Sequence, residues 1–316
     1  MPKSVITGVA GFIGSHLAES LLEQGHDVTG IDCFADYYPR AVKEANLRTA
    51  LAHPRFQFLE ADLYDMDIES ALRGADYVFH QAAQPGVRGS WGTTFEIYVR
   101  QNILSTQRLL EAAKEIPLEK FVYASSSSVY GDAESPATSE TAPLQPLSPY
   151  GVTKLAAENL CHSYALNFGI PVVSLRYFSV YGPRQRPDMG FHRFIRAVLE
   201  RQPVTVFGDG SQARDFTFVE DVVRANLLAI RTPFRNEVFN ISGGVATTVN
   251  EALRLIGELT GLEPVLRYAE PLKGEARRTG ADLSKARSLL GYQPVHTLRE
   301  GLKSQIEWLR GLASAV

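Results

Sequence analysis

Short apolar runs alternate with longer amphipathic stretches through the first half of the chain. Six runs have the length and composition of buried strands, and they lie at 4–7, 28–31, 56–60, 75–80, 120–125 and 171–177. Stretches with apolar residues at helical spacing lie between them, at 15–24, in the 40s, at 94–114 and at 150–167. Strands that alternate with helices in this way form a parallel sheet covered on both faces. The pattern therefore predicts an α/β fold with a doubly wound parallel sheet.

The alternation breaks after residue 177. The segment 179–213 is rich in glycine, proline and arginine, and shorter elements follow it. Helices are predicted at 192–201, 218–230, 249–259, 285–290 and 298–309, and strands at 204–207 and 237–241. We expect a smaller α/β lobe, partly interleaved with the first. The first domain would comprise 1–178 and 214–242, and the second 179–213 and 243–316.

Composition narrows the class of protein. The 316 residues are 45% hydrophobic and 21% charged, as in an ordinary globular protein. A net charge of −3 gives none of the basic excess that nucleic-acid binding requires. The apolar runs are shorter than the roughly 18 residues of a membrane span. Two cysteines, Cys33 and Cys161, are too few for a disulfide framework and lack metal-ligand spacing. We expect a cytoplasmic protein with no signal peptide, bound metal, membrane partner or nucleic-acid partner.

Tyr150 and Lys154 carry the most specific chemistry. On a helix their side chains lie on one face, one turn apart. An ammonium beside a phenol favours the phenolate, so the pKa of Tyr150 is expected to fall from about 10 towards neutrality. Such a base can take a proton from a sugar hydroxyl, to which a serine of the run 125–128 can hydrogen-bond. This arrangement oxidises an alcohol to a ketone and needs a hydride acceptor.

A glycine-rich turn provides the site for that acceptor. Gly8, Gly11 and Gly14 lie between a predicted strand and a predicted helix, where a pyrophosphate can approach the helix N-terminus. Asp32 ends the second strand, where its carboxylate can accept both ribose hydroxyls. The same carboxylate would repel a 2′-phosphate, which favours NAD over NADP. Two residues follow the third strand, where an adenine ring can be held: Asp62 and Leu63.

These features together resemble the extended short-chain dehydrogenase/reductases, and among them the NAD-dependent sugar-nucleotide epimerase/dehydratase family. The matching segments are 8–16, 81–84, 150–154, 175–178, 181–184 and 214–216. The resemblance implies a Rossmann-like sheet and a substrate lobe, with oxidation at C4 of a nucleotide sugar by bound NAD. It implies Ser126, Tyr150 and Lys154 as the catalytic residues. Beside the glycines, Asp32, Asp62 and Leu63, it places the following residues at NAD: Phe12, Ile13, Gln81, Ala82, Ala83, Gln84, Ala124, Tyr150, Lys154 and Tyr177.

The serine run selects among the reactions of the family. Aligned on the segment 129–131, Ser126 matches the family's catalytic Ser/Thr. The related 4,6-dehydratases carry Asp-Glu where this chain has Ser127 and Ser128, and the UDP-glucuronate decarboxylases carry Glu at the second position. A serine hydroxyl is too weak an acid or base for either reaction. The sequence therefore favours 4-epimerisation, in which the hydride returns to the opposite face of the 4-ketone.

The substrate end resembles the UDP-glucuronate 4-epimerases more than the UDP-glucose 4-epimerases. A C6 carboxylate needs a guanidinium and a hydroxyl, which Arg186 and Ser179 can supply, although Arg186 also fits a surface position on its Pro-rich loop. UDP-glucose and UDP-GlcNAc remain alternative substrates. Decarboxylation, 4,6-dehydration and a non-catalytic NAD-binding role are less favoured. The residues expected at the substrate are Arg88, Ser126, Ser127, Ser128, Tyr150, Ser179, Arg186, Phe207, Arg214 and Arg277.

Several of these positions have a second interpretation. Arg214 matches the diphosphate-contacting arginine of the family, or it forms a salt bridge with Asp215 or Glu220. Phe207 borders the uracil or fills the core, and His192 is expected as a helix cap or a surface residue. The resemblance also implies a homodimer through a four-helix bundle formed by the helices at 94–114 and 150–167. Burial within one chain would explain the apolar stripes of those helices equally well.

Overall fold

The computed structural model describes residues 1–132, 137–271, 274 and 276–314. A seven-stranded, wholly parallel sheet forms its centre. In spatial order across the sheet, its strands are β11 (Asn236–Ile241), β6 (Val172–Tyr177), β5 (Lys120–Ser126), β4 (Tyr77–His80), β1 (Lys3–Thr7), β2 (Asp27–Asp32) and β3 (Phe56–Glu60). The predicted doubly wound α/β fold is confirmed.

Helices cover both faces of this sheet. They are α1 (Phe12–Glu23), α2 (Arg40–Leu51), α3 (Ile68–Leu72), α4 (Phe95–Tyr98), α5 (Ser105–Ala113), α6 (Pro149–Phe168), α7 (Gly190–Leu199), α8 (Val219–Ala229), α9 (Val249–Thr260) and α10 (Leu298–Ser314). Helices α1, α2 and α8 pack together on one face, and α3, α5 and α6 pack together on the other. The sheet is therefore buried on both sides, which explains the uninterrupted apolar strands of the sequence.

The strand order reverses direction between β1 and β4. The chain runs from β1 outwards through β2 to β3, and then returns to β4 on the other side of β1 before continuing to β5 and β6. A crevice forms at the carboxyl ends of the strands at such a switch point. The carboxyl ends of β1, β4 and β5 meet there, and the glycine turn, Gln81 and Ser126 lie at or just after these ends.

The second half forms smaller layers beside this edge. Helices α7, α9 and α10 pack against one another. The remaining strands form two-stranded sheets, β7 (Val180–Tyr181) with β10 (Thr217–Phe218), β9 (Ala213–Asp215) with β12 (Ala246–Thr248), and β8 (Val204–Phe207) with β13 (Leu266–Ala269). Apart from β8, these strands are absent from the sequence prediction, because they are only two to four residues long and too short to show a period.

The predicted helix at 94–114 is continuous but not uniform. A π-helical segment, Val99–Leu104, separates α4 from α5. The buried Asn102 lies in this wide segment, and its side chain bonds the backbone of Gln84 (2.6 and 3.1 Å) and the hydroxyl of Thr153 (2.9 Å). The irregular turn therefore ties the end of β4 to the helix that carries Tyr150. None of the helices in the described ranges is long and apolar enough to cross a membrane.

A buried histidine connects β1 to the same helical region. His80 Nδ1 lies 2.7 Å from Thr7 Oγ1, and its Nε2 lies 2.9 Å from Thr106 Oγ1, which donates to the carbonyl of Asn102. Because Thr106 uses its own proton on that carbonyl, His80 must donate from Nε2 and accept at Nδ1. Burial, and secondarily the charge of Lys154, lowers the pKa of His80 to about 3, so the ring is neutral in the fold.

We expect the free energy of unfolding to decrease as the pH falls below the ordinary histidine pKa of 6.5. The unfolded state takes up a proton there, whereas the folded state excludes it until the pH approaches 3. In His80→Gln, the free energy of unfolding should depend less steeply on pH between pH 6 and 4, by up to about 1.4 kcal/mol per pH unit. Urea titrations at several pH values measure this slope. His162→Gln, at an exposed position of α6, is the control, and equal slopes in both variants would contradict the prediction.

Candidate active site

The glycine turn packs tightly between β1 and α1. Gly8 has a φ of +71°, and its N–H donates to the carbonyl of Ile31 at 2.7 Å. A Cβ at Gly14 would lie 2.2 Å from the carbonyl oxygen of Gly8, and a Cβ at Gly8 would lie 2.7 Å from the nitrogen of Ala82. Among the described residues, no side chain caps α1 at Gly11. The first amides of the helix, including those of Phe12 and Ile13, are thus left for a bound anion.

Gly14→Ala is expected to displace the turn, because the atom that its Cβ would meet is backbone. The variant should lose about 1–3 kcal/mol of stability from overpacking and should bind NAD more weakly. Thermal unfolding and the nucleotide content of the purified protein measure the two effects. Gly311→Ala in α10 is the matched control, because its Cβ meets nothing within 4 Å. That control should gain about 0.5–1 kcal/mol from helix propensity, and a Gly14→Ala variant of unchanged stability would refute the packing account.

Asp32 lies at the end of β2, as predicted, and faces the turn. Its carboxylate accepts the N–H of Ala10 (3.1 Å) and of Phe34 (2.9 Å). Burial raises its pKa, opposed by the bond from Phe34 and the charge of Lys43. A carboxylate has about four acceptor positions, so two amide bonds leave capacity for hydroxyl groups. The turn, the uncapped helix and Asp32 therefore fit a dinucleotide.

Other residues predicted at the cofactor lie at or just after the carboxyl ends of three strands, β4, β5 and β6. Gln81 donates to the hydroxyl of Tyr177 (3.2 Å) and to Asn226 Oδ1 (3.0 Å), which joins the ends of β4 and β6. The N–H of Ala82 donates to Thr7 Oγ1 at 3.2 Å, and Ala83 is the next residue along this edge. Ala124 is buried in β5.

Asp62 and Leu63 are already engaged within the protein. Asp62 accepts the N–H of Tyr64 (2.9 Å) and the amide of Gln101 (2.9 Å). The side chain of Leu63 is buried in the core beneath α3 and α5. Leu63 can therefore offer an adenine ring only its backbone.

Helix α6 begins so that Tyr150 lies in its first turn. Ser148 caps the helix by accepting the N–H of Gly151 at 3.1 Å, and Pro149 occupies the first position. Ser126, at the end of β5, hydrogen-bonds to Tyr150. Its Oγ also accepts the N–H of Ser128 at 3.1 Å. The structure therefore brings the predicted serine and tyrosine together.

The expected effect of Lys154 on Tyr150 is corrected by the structure. Burial raises the pKa of Tyr150, and the groups that oppose this are the Ser126 hydroxyl and the Arg186 guanidinium. Lys154 is itself buried, which lowers its pKa to about 8, and its ammonium lies 4.5 Å from the centre of the Tyr123 ring. The expectation treated both groups as solvated, whereas desolvation disfavours the charged form of each.

A buried ion pair supports this part of α6. Glu158, one turn after Lys154, pairs with Arg176 at 2.5 Å and accepts the Ser125 hydroxyl at 2.5 Å. Arg176 also donates to the hydroxyl of Tyr130 at 2.6 Å. The pair fixes β5, β6 and α6 relative to one another below the catalytic side chains. The sequence reasoning did not single out Glu158, although its i+4 spacing from Lys154 was visible.

Arg186 lies near Tyr150 and is not a solvated surface residue, since its side chain is 18% exposed. Its Nε and Nη2 donate to Asp188 at 3.0 and 3.1 Å. The guanidinium of Arg88 lies 4.8 Å from the centre of the Phe207 ring. Phe207 is only partly buried, so it does not belong to the fully buried core. The structure thus pairs Arg88 with Phe207, and Arg186 with Asp188 near Tyr150.

Arg214 and Arg277 also lie together. Arg214, on β9, donates to the carbonyl of Arg277 at 3.3 Å. Asp215, considered as a salt-bridge partner of Arg214, is buried and accepts the N–H of Gly244 at 3.0 Å and of Ala281 at 3.3 Å.

The remaining predicted positions follow the ends of β5 and β6. Ser127 and Ser128 form a partly buried turn after β5. Ser179 is partly buried beside β7. His192 is buried rather than on the surface, because its ring and backbone both bond Gln185, at 2.8 and 2.9 Å.

Three tyrosines near the site were not predicted. Tyr37 and Tyr38 lie in the loop after Asp32, and Tyr98 donates to the carbonyls of Pro85 (2.8 Å) and Gly86 (2.9 Å). The rings of Tyr98 and Tyr150 meet edge to face at 6.3 Å. Two adjacent aromatic residues in a loop at the carboxyl end of a strand were the signal available in the sequence. Within the described part of the chain, no group of three or more His, Cys, Asp or Glu side chains can hold a metal ion.

Comparison with known proteins agrees with this geometry. Residues 4–242 match the NAD dependent epimerase/dehydratase family. The chain belongs to this family. It is 47% identical over 312 residues to a protein of Bacillus subtilis (strain 168) named as an uncharacterized UDP-glucose epimerase, YtcB, with 98% of each chain covered. It is 36% identical to the UDP-glucuronate 4-epimerase of Thermodesulfobacterium geofontis (strain OPF15), with 96% of this chain and 95% of the relative covered.

A solved structure is similar over nearly the whole length. The UDP-glucuronic acid 4-epimerase of Bacillus cereus, in complex with UDP-glucuronic acid and NAD, is 45% identical and superposes with a TM-score of 0.95. The similarity covers 98% of this chain and 99% of the other. The structural similarity therefore extends beyond the parallel sheet to the smaller layers of the second half.

Proposed function

We propose that the protein catalyses the NAD-dependent 4-epimerisation of UDP-glucuronate to UDP-galacturonate. The observation that carries this proposal is the position of Arg186 next to the Tyr150–Ser126 pair, with serines at 127 and 128. A guanidinium beside the base suits a sugar that carries a C6 carboxylate. The likeness to UDP-glucuronate 4-epimerases supports the same conclusion.

The crevice at the switch point would hold NAD. The amides at the start of α1 would bind its pyrophosphate, Asp32 would accept its ribose hydroxyls, and the backbone of Leu63, next to Asp62, would bind its adenine. Bound NAD would supply a hydride acceptor and donor at C4. Its nicotinamide would be held by residues 81–84, Ala124, Tyr177 and Lys154. We assign 1–178 and 214–242 to the NAD-binding domain, and 179–213 and 243–316 to the nucleotide-sugar-binding domain.

Tyr150 acts as the phenolate and takes the proton of the C4 hydroxyl, while Ser126 orients that hydroxyl. The ammonium of Lys154, which lies 4.5 Å from the centre of the Tyr123 ring, stabilises the negative charge of this phenolate before the proton is transferred. The sugar ring of the 4-keto intermediate then turns over, so that the hydride returns to its opposite face. Tyr150 gives the proton back to the C4 oxygen. Because Ser127 and Ser128 offer no carboxylic acid or base to C5, elimination towards C6 is not assisted.

The rest of the substrate meets the arginines of the second half. Arg186, with Ser179, Ser127 and Ser128, binds the C6 carboxylate. Loss of CO₂ requires the C5–CO₂ bond to be perpendicular to the plane of the ketone. A carboxylate that is held out of this orientation is therefore retained until the hydride returns. Arg214 and Arg277 bind the diphosphate. Arg88 and Phe207, which stack on each other, border the uracil.

Incubation with UDP-glucuronate and UDP-glucose in parallel tests this function. We expect inversion at C4 of UDP-glucuronate by NMR, with little CO₂ released and slower turnover of UDP-glucose. UDP-glucose 4-epimerisation is the second candidate, favoured by the name of the Bacillus subtilis relative. Turnover of UDP-glucose alone would replace the first proposal by the second, and no turnover of any nucleotide sugar would exclude both.

We further propose a cytoplasmic homodimer formed through the helices at 95–113 and 149–168. Ile97, Leu104 and Val152 are large apolar side chains exposed on these helices. Pairing across a two-fold axis would bury them in a four-helix bundle. Both cysteines of the chain are free thiols, which suits a reducing compartment. Light scattering of Ile97→Glu should show monomers if the proposed interface is correct.

A further inference from the structure

The contact between Arg186 and Asp188 uses only one edge of the guanidinium. Asp188 accepts from Nε at 3.0 Å and from Nη2 at 3.1 Å. It therefore binds the side edge of the guanidinium, which is the edge formed by Nε and Nη2. A guanidinium has five N–H donors. One proton of Nη1 and the second proton of Nη2 lie on the end edge, which can bind a second carboxylate in the same bidentate manner.

Tyr37 contacts both members of this pair. Its hydroxyl reaches Asp188 Oδ2 at 3.5 Å, and its ring centre lies 5.7 Å from the Arg186 guanidinium. The backbone of Gly86 packs closely against the same hydroxyl. A Cβ added at Gly86 would lie only 2.2 Å from the hydroxyl oxygen of Tyr37. Three loops, after β2, β4 and β7, thereby meet around one guanidinium.

An internal carboxylate next to an anion-binding arginine has an electrostatic cost. It reduces the attraction of Arg186 for any substrate anion. Its benefit is geometric, since an arginine side chain has large rotamer freedom that must be lost when it binds. A guanidinium that is already fixed loses less freedom on binding a carboxylate.

We propose that Asp188 and Tyr37 are positioning residues that fix the side edge of Arg186, so that its end edge meets the C6 carboxylate of the substrate. This inference rests on the proposed function, because it assumes that Arg186 binds a uronate. It makes Asp188 a determinant of specificity for uronates over neutral hexoses.

The experiment compares Asp188→Ala, Arg186→Ala and the double variant. Steady-state kinetics with UDP-glucuronate are measured together with the inhibition constant of UDP-glucose, which has no carboxylate. For Asp188→Ala we expect kcat/KM for UDP-glucuronate to fall about tenfold, mainly through KM. The inhibition constant of UDP-glucose should change less than about twofold. Because Asp188 acts through Arg186, the double variant should be no worse than Arg186→Ala alone.

Two further variants keep the test decisive. Glu200→Ala breaks the exposed pair between Arg196 and Glu200, outside the site, and should leave all constants unchanged. If Asp188→Ala does not fold, Tyr37→Phe removes only the hydroxyl contact, and it should raise KM for UDP-glucuronate about twofold to threefold without affecting UDP-glucose.

The outcomes separate this inference from the proposed function. If the wild-type protein does not act on UDP-glucuronate, the proposed function fails. If the wild-type protein is active, losses that add in the double variant would overturn the positioning role. Tighter binding of UDP-glucuronate by Asp188→Ala would also overturn it, because Asp188 would then be a competitor for Arg186.

Discussion

Replacing Tyr150 with phenylalanine is expected to lower the rate of epimerisation by about 10²–10⁴-fold, the usual contribution of a general base. Phenylalanine keeps the ring that packs against Tyr98 but removes the oxygen that bonds Ser126. Neither Ser126 nor the buried Lys154 can replace it. The serine is too weak a base, and the ammonium points towards the ring of Tyr123.

Binding should survive this substitution. Substrate and NAD are expected to bind Tyr150→Phe with affinities within a few fold of the wild type, because the loss concerns proton transfer in the transition state. Rate measurements and titration of bound NAD separate the two effects. Tyr164→Phe, on the same helix and facing Gln107 and Glu111, is the matched control and should retain full activity. A Tyr150→Phe variant with undiminished turnover would remove Tyr150 from the role of base.

Replacing Arg186 with alanine is expected to abolish the preference for a uronate. A hydrogen-bonded charge contributes about 1.5–3 kcal/mol, which predicts a fall of about 10–10²-fold in kcat/KM for UDP-glucuronate. The loss should lie towards the upper end of this range, because alanine leaves both the substrate carboxylate and Asp188 without their cation. Inhibition by UDP-glucose should change little.

The same variant tests how the keto acid is protected. If Arg186 holds the carboxylate in the plane of the ketone, Arg186→Ala should release more CO₂ per epimerisation, measured by NMR of the products. Arg186→Lys keeps the positive charge but not the planar guanidinium with its paired N–H donors. Its affinity for UDP-glucuronate should therefore lie between those of Arg186→Ala and the wild type. Arg196→Ala, at an exposed arginine of α7, is the control. Unchanged affinity, turnover and CO₂ release in Arg186→Ala would refute the carboxylate contact.

The sequence by itself determined the parallel sheet and the position of the cofactor turn. Both follow from local patterns, since an apolar run such as 4–7 predicts a strand wherever it lies, and Gly8 and Gly14 fit a turn that no larger residue fits. It also determined that Tyr150 and Lys154 share a helix face, because one helical turn fixes that spacing. The absence of carboxylates at 127 and 128 needed no structure at all.

Only the tertiary structure decided the pKa values of these groups and the distant residues that contact the site. The pKa of Tyr150 depends on burial by the whole fold, so the spacing from Lys154 predicted the wrong direction. Tyr37 and Asp188 are 151 positions apart, and no local period links them. Their contact exists only because the fold brings the loop after β2 and the loop after β7 together. Local spacing thus specifies which chemical groups are present, whereas burial and long-range packing specify their charge and their partners.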